Sequence, residues 1–231
     1  MTSSTNKLQE VYNQQGFLSA LPVLNETQLR EAKRAFSELE EEFGEEYTQY
    51  SLHNVHLQYP WVRDLTQHPQ IIQVVKAILG PDVILLDSRF ICKYPTLKPD
   101  AQENEGGGND ELPYVAWHQD MRYWGIAGGP VLSATRPGNM LSVNQEIPEE
   151  LLQTDEAVFC PLLAGQMSIH DGLLVHASKA NTSQRRRCGL VIRYVPTCAH
   201  PTQDPDRPRK FAATMLACGS DRFNNFSDKT T

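Results

Sequence analysis

Two short stretches hold the residue types that can do chemistry. They are Trp117-His118-Gln119-Asp120 and, fifty-six positions beyond Asp120, His176-Ala177-Ser178, which leads into Arg185-Arg186-Arg187. On a β-strand, residues i and i+2 share a face, so a strand over residues 115–120 turns His118 and Asp120 to one side. His176 is the candidate third ligand. Two imidazoles and one carboxylate make a facial triad that holds Fe(II) and leaves three positions for an organic co-substrate and dioxygen.

An open ferrous site needs electrons from a co-substrate. 2-Oxoglutarate binds the metal through one end and offers its far carboxylate to a basic residue, for which a guanidinium fork is the matching shape. Arg187 lies eleven residues after His176. Residues 188–195 (C-G-L-V-I-R-Y-V) read as a mostly buried strand, so Arg187 enters the site from the strand that follows the distal histidine.

The block W-H-Q-D, then V-H-A-S-K-A-N-T-S-Q-R-R-R with an aliphatic strand after it, resembles the phytanoyl-CoA dioxygenase family of Fe(II)/2-oxoglutarate oxygenases. The likeness runs from Gly16-Phe17 to about Asn225-Phe226. It implies a mainly β fold with flanking helices, a double-stranded β-helix of the jelly-roll or cupin-like kind. The implied reaction is hydroxylation of a small organic or acyl substrate by O2, with 2-oxoglutarate going to succinate and CO2. By the same resemblance His118, Asp120 and His176 are the metal ligands and catalytic centre, and Arg187 is the 2-oxoglutarate arginine. Ser178 and Lys93 are further co-substrate contacts, and ascorbate is an accessory reductant. The intact Asp120 sets the chain apart from halogenating members, in which a small residue stands there. Read from position alone, Lys93 is either such a contact or an edge lysine that snorkels to water. Tyr123 and Trp124 follow the metal pair and offer a flat apolar wall to a substrate, or ordinary core packing.

The likeness breaks between about 125 and 142. Where the family places an aliphatic strand, a turn and a second strand, this chain reads G-I-A-G-G-P-V-L-S-A-T-R-P-G-N-M-L-S, with neither strand visible. A fold that loses an internal strand pair orphans backbone donors and acceptors, at about 1–3 kcal/mol each. Against a total stability of about 5–15 kcal/mol, a few such losses are decisive.

The positioning elements are otherwise legible. Asn25 and Gln28 form a capping box ahead of a helix over 26–43, with Leu29, Ala32, Phe36, Leu39 and Phe43 at helical spacing. His68-Pro69 opens a second helix that Gly80 closes. A short helix ends at Gly16, and residues 83–94 and 157–163 read as strands. Residues 97–113 form a Gly-rich loop, and the segment beyond Pro196 is Pro-rich and irregular. The run Glu38 to Glu46 reads as a solvated face. His53, His56, His170 and Asp171 read as structural polar groups, because no ligand partner stands at a useful spacing.

Composition bounds the rest. With 231 residues, 40% of them hydrophobic and 21% charged, the chain suits one domain over 1–231. Residues 1–80 form its helical part, 83–198 its core and 199–231 its tail. A net charge of −7 disfavours nucleic-acid partners. No apolar run suits a membrane span or signal peptide. Five scattered cysteines without C-x-x-C indicate reduced thiols and a cytoplasmic location. Two other functions stay open. A zinc hydrolase can also use two histidines and a carboxylate, though it has no use for Arg187. A catalytically impaired pseudoenzyme or binding module follows if the missing strands undo the scaffold.

Overall fold

The computed structural model describes residues 2–95, 113–120, 132–133, 138–141, 145–201 and 211–226. In chain order the elements are α1 (Thr2–Gln15), β1 (Phe17–Pro22), α2 (Glu26–Phe43), α3 (Glu45–Tyr50), α4 (Pro60–Thr66), α5 (Pro69–Leu79) and β2 (Val83–Lys93). There follow β3 (Val115–His118), β4 (Leu132–Ser133), β5 (Gln145–Glu146), β6 (Gln166–His170), β7 (His176–Ser178), β8 (Arg187–Pro196) and β9 (Met215–Cys218). No helix among the described residues is long and apolar enough to cross a membrane.

The helices start and stop where their end residues dictate. Asn25 Oδ1 accepts the Gln28 amide at 2.9 Å while the Asn25 amide donates to Gln28 Oε1 at 3.0 Å, so α2 opens with both donors satisfied. α5 begins at Pro69, where a missing N–H is harmless, and ends at Gly80, whose φ of 93° would strain a residue with a Cβ. α1 begins six residues earlier than the apolar spacing predicts.

β2 is the central strand of the larger sheet, ordered β8-β2-β9. Its register with β8 runs antiparallel from Val83↔Pro196 to Lys93↔Arg187, and β9 pairs with Val83–Leu85. Alternation gives β2 two faces. Phe90 and Cys92 pack with Phe36 and Leu39 of α2 and with Leu52, Val55 and Val62 in one apolar cluster. Ser88, on the same face, meets the buried His56, whose Nδ1 lies 2.6 Å from Ser88 Oγ and whose Nε2 lies 2.9 Å from the Ala213 carbonyl. His56 is a satisfied core histidine. Asp87, Arg89 and Lys93 occupy the opposite face. The remaining strands form two-stranded sheets, β1-β6, β3-β7 and β4-β5.

Three expectations are corrected. Residues 157–163 form no strand: Val158 is 67% exposed and Phe159 82%, no strand among the described residues pairs with them, and Pro161 has no N–H to give a ladder. The C-terminal segment is not wholly irregular, because Met215–Cys218 adds an edge strand to β2. The acidic run is not purely solvated either, since Glu40 forms an ion pair with Arg186 and accepts a 2.5 Å hydrogen bond from the Tyr94 hydroxyl. The loop expected over 97–113 lies almost wholly outside the described residues, as does most of the stretch 125–142.

Candidate functional site

β3 ends at His118, and β7 begins at His176. Their antiparallel register pairs these two residues directly, which brings the imidazole centroids to 4.1 Å. The strand expected to run to Asp120 stops at His118, and Asp120, two residues past its end, still places Oδ1 3.6 Å from His118 Nε2. One ligand atom from each of His118, Asp120 and His176 falls within 4.8 Å of the others.

The donor set fits a divalent cation, and the hydrogen bonds behind it explain why. His118 Nδ1 donates to the Ala116 carbonyl at 2.8 Å, and His176 Nδ1 donates to the Leu174 carbonyl at 2.9 Å. Each bond fixes the tautomer that leaves Nε2 with its lone pair free for a metal. Burial first, then the His118 and His170 imidazoles, push His176 down to about 4, so it is neutral at physiological pH. For Asp120, burial alone would raise the carboxyl. The imidazoles of His118 and His170 and the Arg193 guanidinium outweigh it and hold the group well below the usual carboxylate range.

Arg193, on β8, forks between two carboxylates. Its Nη2 lies 3.3 Å from Asp120 Oδ1, and its Nη1 lies 3.3 Å from Asp87 Oδ1 on β2. His170 Nε2 stands 3.8 Å from Asp120 Oδ2, and the His170 ring is 4.4 Å from that of His176. As the last residue of β6, His170 turns toward the triad without joining its metal-capable group of three. Asp171 turns away, as its neighbour on a strand must, and its carboxylate meets the Tyr12 hydroxyl and the Leu173 amide.

A second, cationic cluster lies at the other end of β7. Lys93 is only 2% exposed. It donates to Ser178 Oγ at 2.6 Å and to the carbonyls of Ser178 and Lys179 at 2.7 Å, so it is a buried lysine and not a snorkelling one. Arg187 donates to the same Ser178 Oγ at 2.5 Å, with its side chain otherwise open to solvent. Burial, and then the Arg187 guanidinium, push Lys93 down to about 8. The residues expected to share a role, Lys93, Ser178 and Arg187, thus converge on one hydroxyl. Tyr123 and Trp124 lie outside the described residues.

Asp87, Arg193 and His170 are members of this neighbourhood that spacing arguments miss. A signal for the first two exists in the sequence. Each is a charge inside an otherwise apolar strand run, V-I-L-L-D-S-R-F and G-L-V-I-R-Y-V, and charges are rarely buried unless paired.

No family model matches the chain, and no curated protein matches it. Solved structures do. The non-heme monooxygenase ThoJ in its apo form is 22% identical with a TM-score of 0.68, covering 93% of this chain and 84% of that one. The epimerase SnoN, in complex with Fe3+, alpha ketoglutarate and nogalamycin RO, is 17% identical with a TM-score of 0.64, covering 89% and 90%. CytC3 with Fe(II) and alpha-ketoglutarate is 17% identical with a TM-score of 0.60, covering 95% and 90%. The sheet-rich fold with flanking helices is shared with these three solved structures.

Proposed function

We propose that the chain carries the site of a non-haem Fe(II)/2-oxoglutarate-dependent dioxygenase that hydroxylates a small organic or acyl substrate. Its scaffold is a double-stranded β-helix of the phytanoyl-CoA dioxygenase kind, short of a strand pair between about 125 and 142. His118, Asp120 and His176 are the iron ligands, and Arg187, Ser178 and Lys93 hold the far carboxylate of 2-oxoglutarate. One observation carries the reading. His176 and Ser178 are two apart on β7, so the triad and the cationic cluster share a face at roughly 7 Å, about the reach of a five-carbon dicarboxylate.

Iron with 2-oxoglutarate and dioxygen supplies the oxidising power, the co-substrate leaving as succinate and CO2. The protein's own groups position and neutralise. The Nδ1–H bonds to Ala116 and Leu174 aim the two imidazoles. Arg193 keeps Asp120 ionised and fixed against β2. Lys93 and Arg187 set two positive charges against the dicarboxylate.

Anaerobic titration of the purified chain with Fe(II) and 2-oxoglutarate tests this. A visible charge-transfer band that saturates at one equivalent of each is expected, with H118A abolishing it and R187A weakening only the 2-oxoglutarate step. Absence of the band at saturating ligand overturns the proposal, and indifference to R187A favours a zinc hydrolase.

A second reading, ligand binding without turnover, is favoured by the strand pairing. Among the described residues β6, β7 and β8 each have a single hydrogen-bonded strand neighbour. Iron-dependent succinate release decides between the two, measured beside a chain with the two strands restored.

A further inference from the structure

Three buried polar atoms have no hydrogen-bond partner among the described residues and stand in one patch: Tyr50 Oη, Asn54 Oδ1 and Arg89 Nε. The patch is continuous. The Tyr50 ring meets the His53 ring edge-on at 6.0 Å, His53 bridges Arg89 backbone to backbone, and the Asn54 amide donates to the Ser88 carbonyl at 2.6 Å.

Arg89 is the most telling of the three. It is 8% exposed, and no ion pair or hydrogen bond of its guanidinium is found among the described residues. Its face of β2 is settled by its neighbours in the alternation. Asp87 on that face reaches Arg193, and Lys93 on the same face reaches Ser178, so Arg89 stands between the triad's carboxylate network and the cationic cluster. A buried cation without a counter-ion is strongly destabilising, and a planar five-donor fork is the shape that takes a carboxylate. Burial, and then the Arg89 charge, lower His53 from its ordinary value, which keeps a second positive charge away from the guanidinium. Tyr50 also lines a shallow, open pocket of about 310 Å³ with Gln49, Pro113, Met140 and Leu141, and neither Arg89 nor Asn54 is among its walls.

We propose that Arg89 anchors a carboxylate-binding subsite. An organic acid sets its carboxylate on the Arg89 guanidinium, on the face of β2 that carries Asp87 and Lys93, and the Tyr50 hydroxyl, the other unpaired donor of the patch, supplies a further hydrogen bond. The far carboxylate of 2-oxoglutarate is not this group, because Lys93 lies four residues, roughly 13 Å, along the strand. That the acid is the substrate rests on the oxygenase reading; the anion subsite does not.

The test uses the full chain loaded with Zn(II) and 2-oxoglutarate, and three acid and amide pairs as probes: acetate with acetamide, benzoate with benzamide, octanoate with octanamide. Calorimetry on the wild type is expected to show at least one acid binding tenfold or more tightly than its amide. R89M should bind that pair equally, keep 2-oxoglutarate affinity within twofold, and melt higher than the wild type when both are ligand-free, since an unpaired charge has been removed. Equal binding within all three wild-type pairs overturns the proposal, as does an acid preference that survives in R89M. So does an R89M chain that melts lower or fails to fold, which makes Arg89 structural, or one that loses 2-oxoglutarate in parallel, which makes it a co-substrate anchor. Acid preference without any metal uptake leaves the subsite standing and removes the oxygenase reading instead.

Discussion

The β2–β8 pair and the stretch from Ala157 to Ser178 are built from similar residues and are held very differently. In the first, a long antiparallel register is covered by α2 on one face and carries Asp87, Arg89, Lys93, Arg187 and Arg193 on the other. In the second, Phe159 and Leu163 stand 82% and 74% exposed, and among the described residues β6 pairs only with β1 and β7 only with β3. Apolar composition alone does not make a strand. A ladder partner is needed, and where it is missing the side chains gain no burial to offset their ordering. The cationic Lys93 and Arg187 therefore sit on the well-anchored side, while His176 and His170 sit on the sparse one.

The widest separation between the two regions should come from truncating a core aromatic. Phe90→Ala removes a ring packed at 4.8 Å from Phe36 and should cost about 3–5 kcal/mol in urea unfolding. A loss near zero would mean that β2 is not the anchored strand. Next in size is His176→Ala, which should lower Fe(II) or Co(II) affinity by about 100-fold or more, since losing even an outer-shell partner of a ligand costs about 10–100-fold. Unchanged affinity would move the metal elsewhere.

Lys93 gives a smaller, pH-dependent contrast. Its ammonium is lowered to about 8 from the ordinary 10.5, so it is charged below that pH and neutral above it. A dicarboxylate favours the charged form. Affinity for 2-oxoglutarate is therefore full below pH 8 and should fall about tenfold as pH rises past it, whereas K93Q should be flat across the same window. Smallest of all, Phe159→Ala should change stability by less than about 0.5 kcal/mol, the ordinary range for an exposed side chain. A loss comparable to that of Phe90→Ala would show that residues 157–163 are buried in solution and erase the contrast.

Much of this was readable from residue order. The capping box at Asn25, the glycine stop at Gly80, at positive φ though not αL, and the apolar run of β2 are local signals, and local physics settles them. The i, i+2 relation of His118 and Asp120 belongs to the same class. What the sequence did not show is lateral. Whether residues 157–163 find a neighbour, or Met215–Cys218 adds to β2, depends on partners far away in the chain. The same holds for His170. Strand parity separates it correctly from Asp171, but only the tertiary placement of the end of β6 brings its ring to 4.4 Å from that of His176.

The His118 and His176 imidazoles share one local feature, an Nδ1–H bond to the carbonyl two residues earlier in the same chain segment. Each ring is therefore aimed by its own backbone and not by a neighbouring element. A scaffold that loses strands elsewhere still presents both Nε2 lone pairs, so the aim of these two rings outlasts damage to their surroundings.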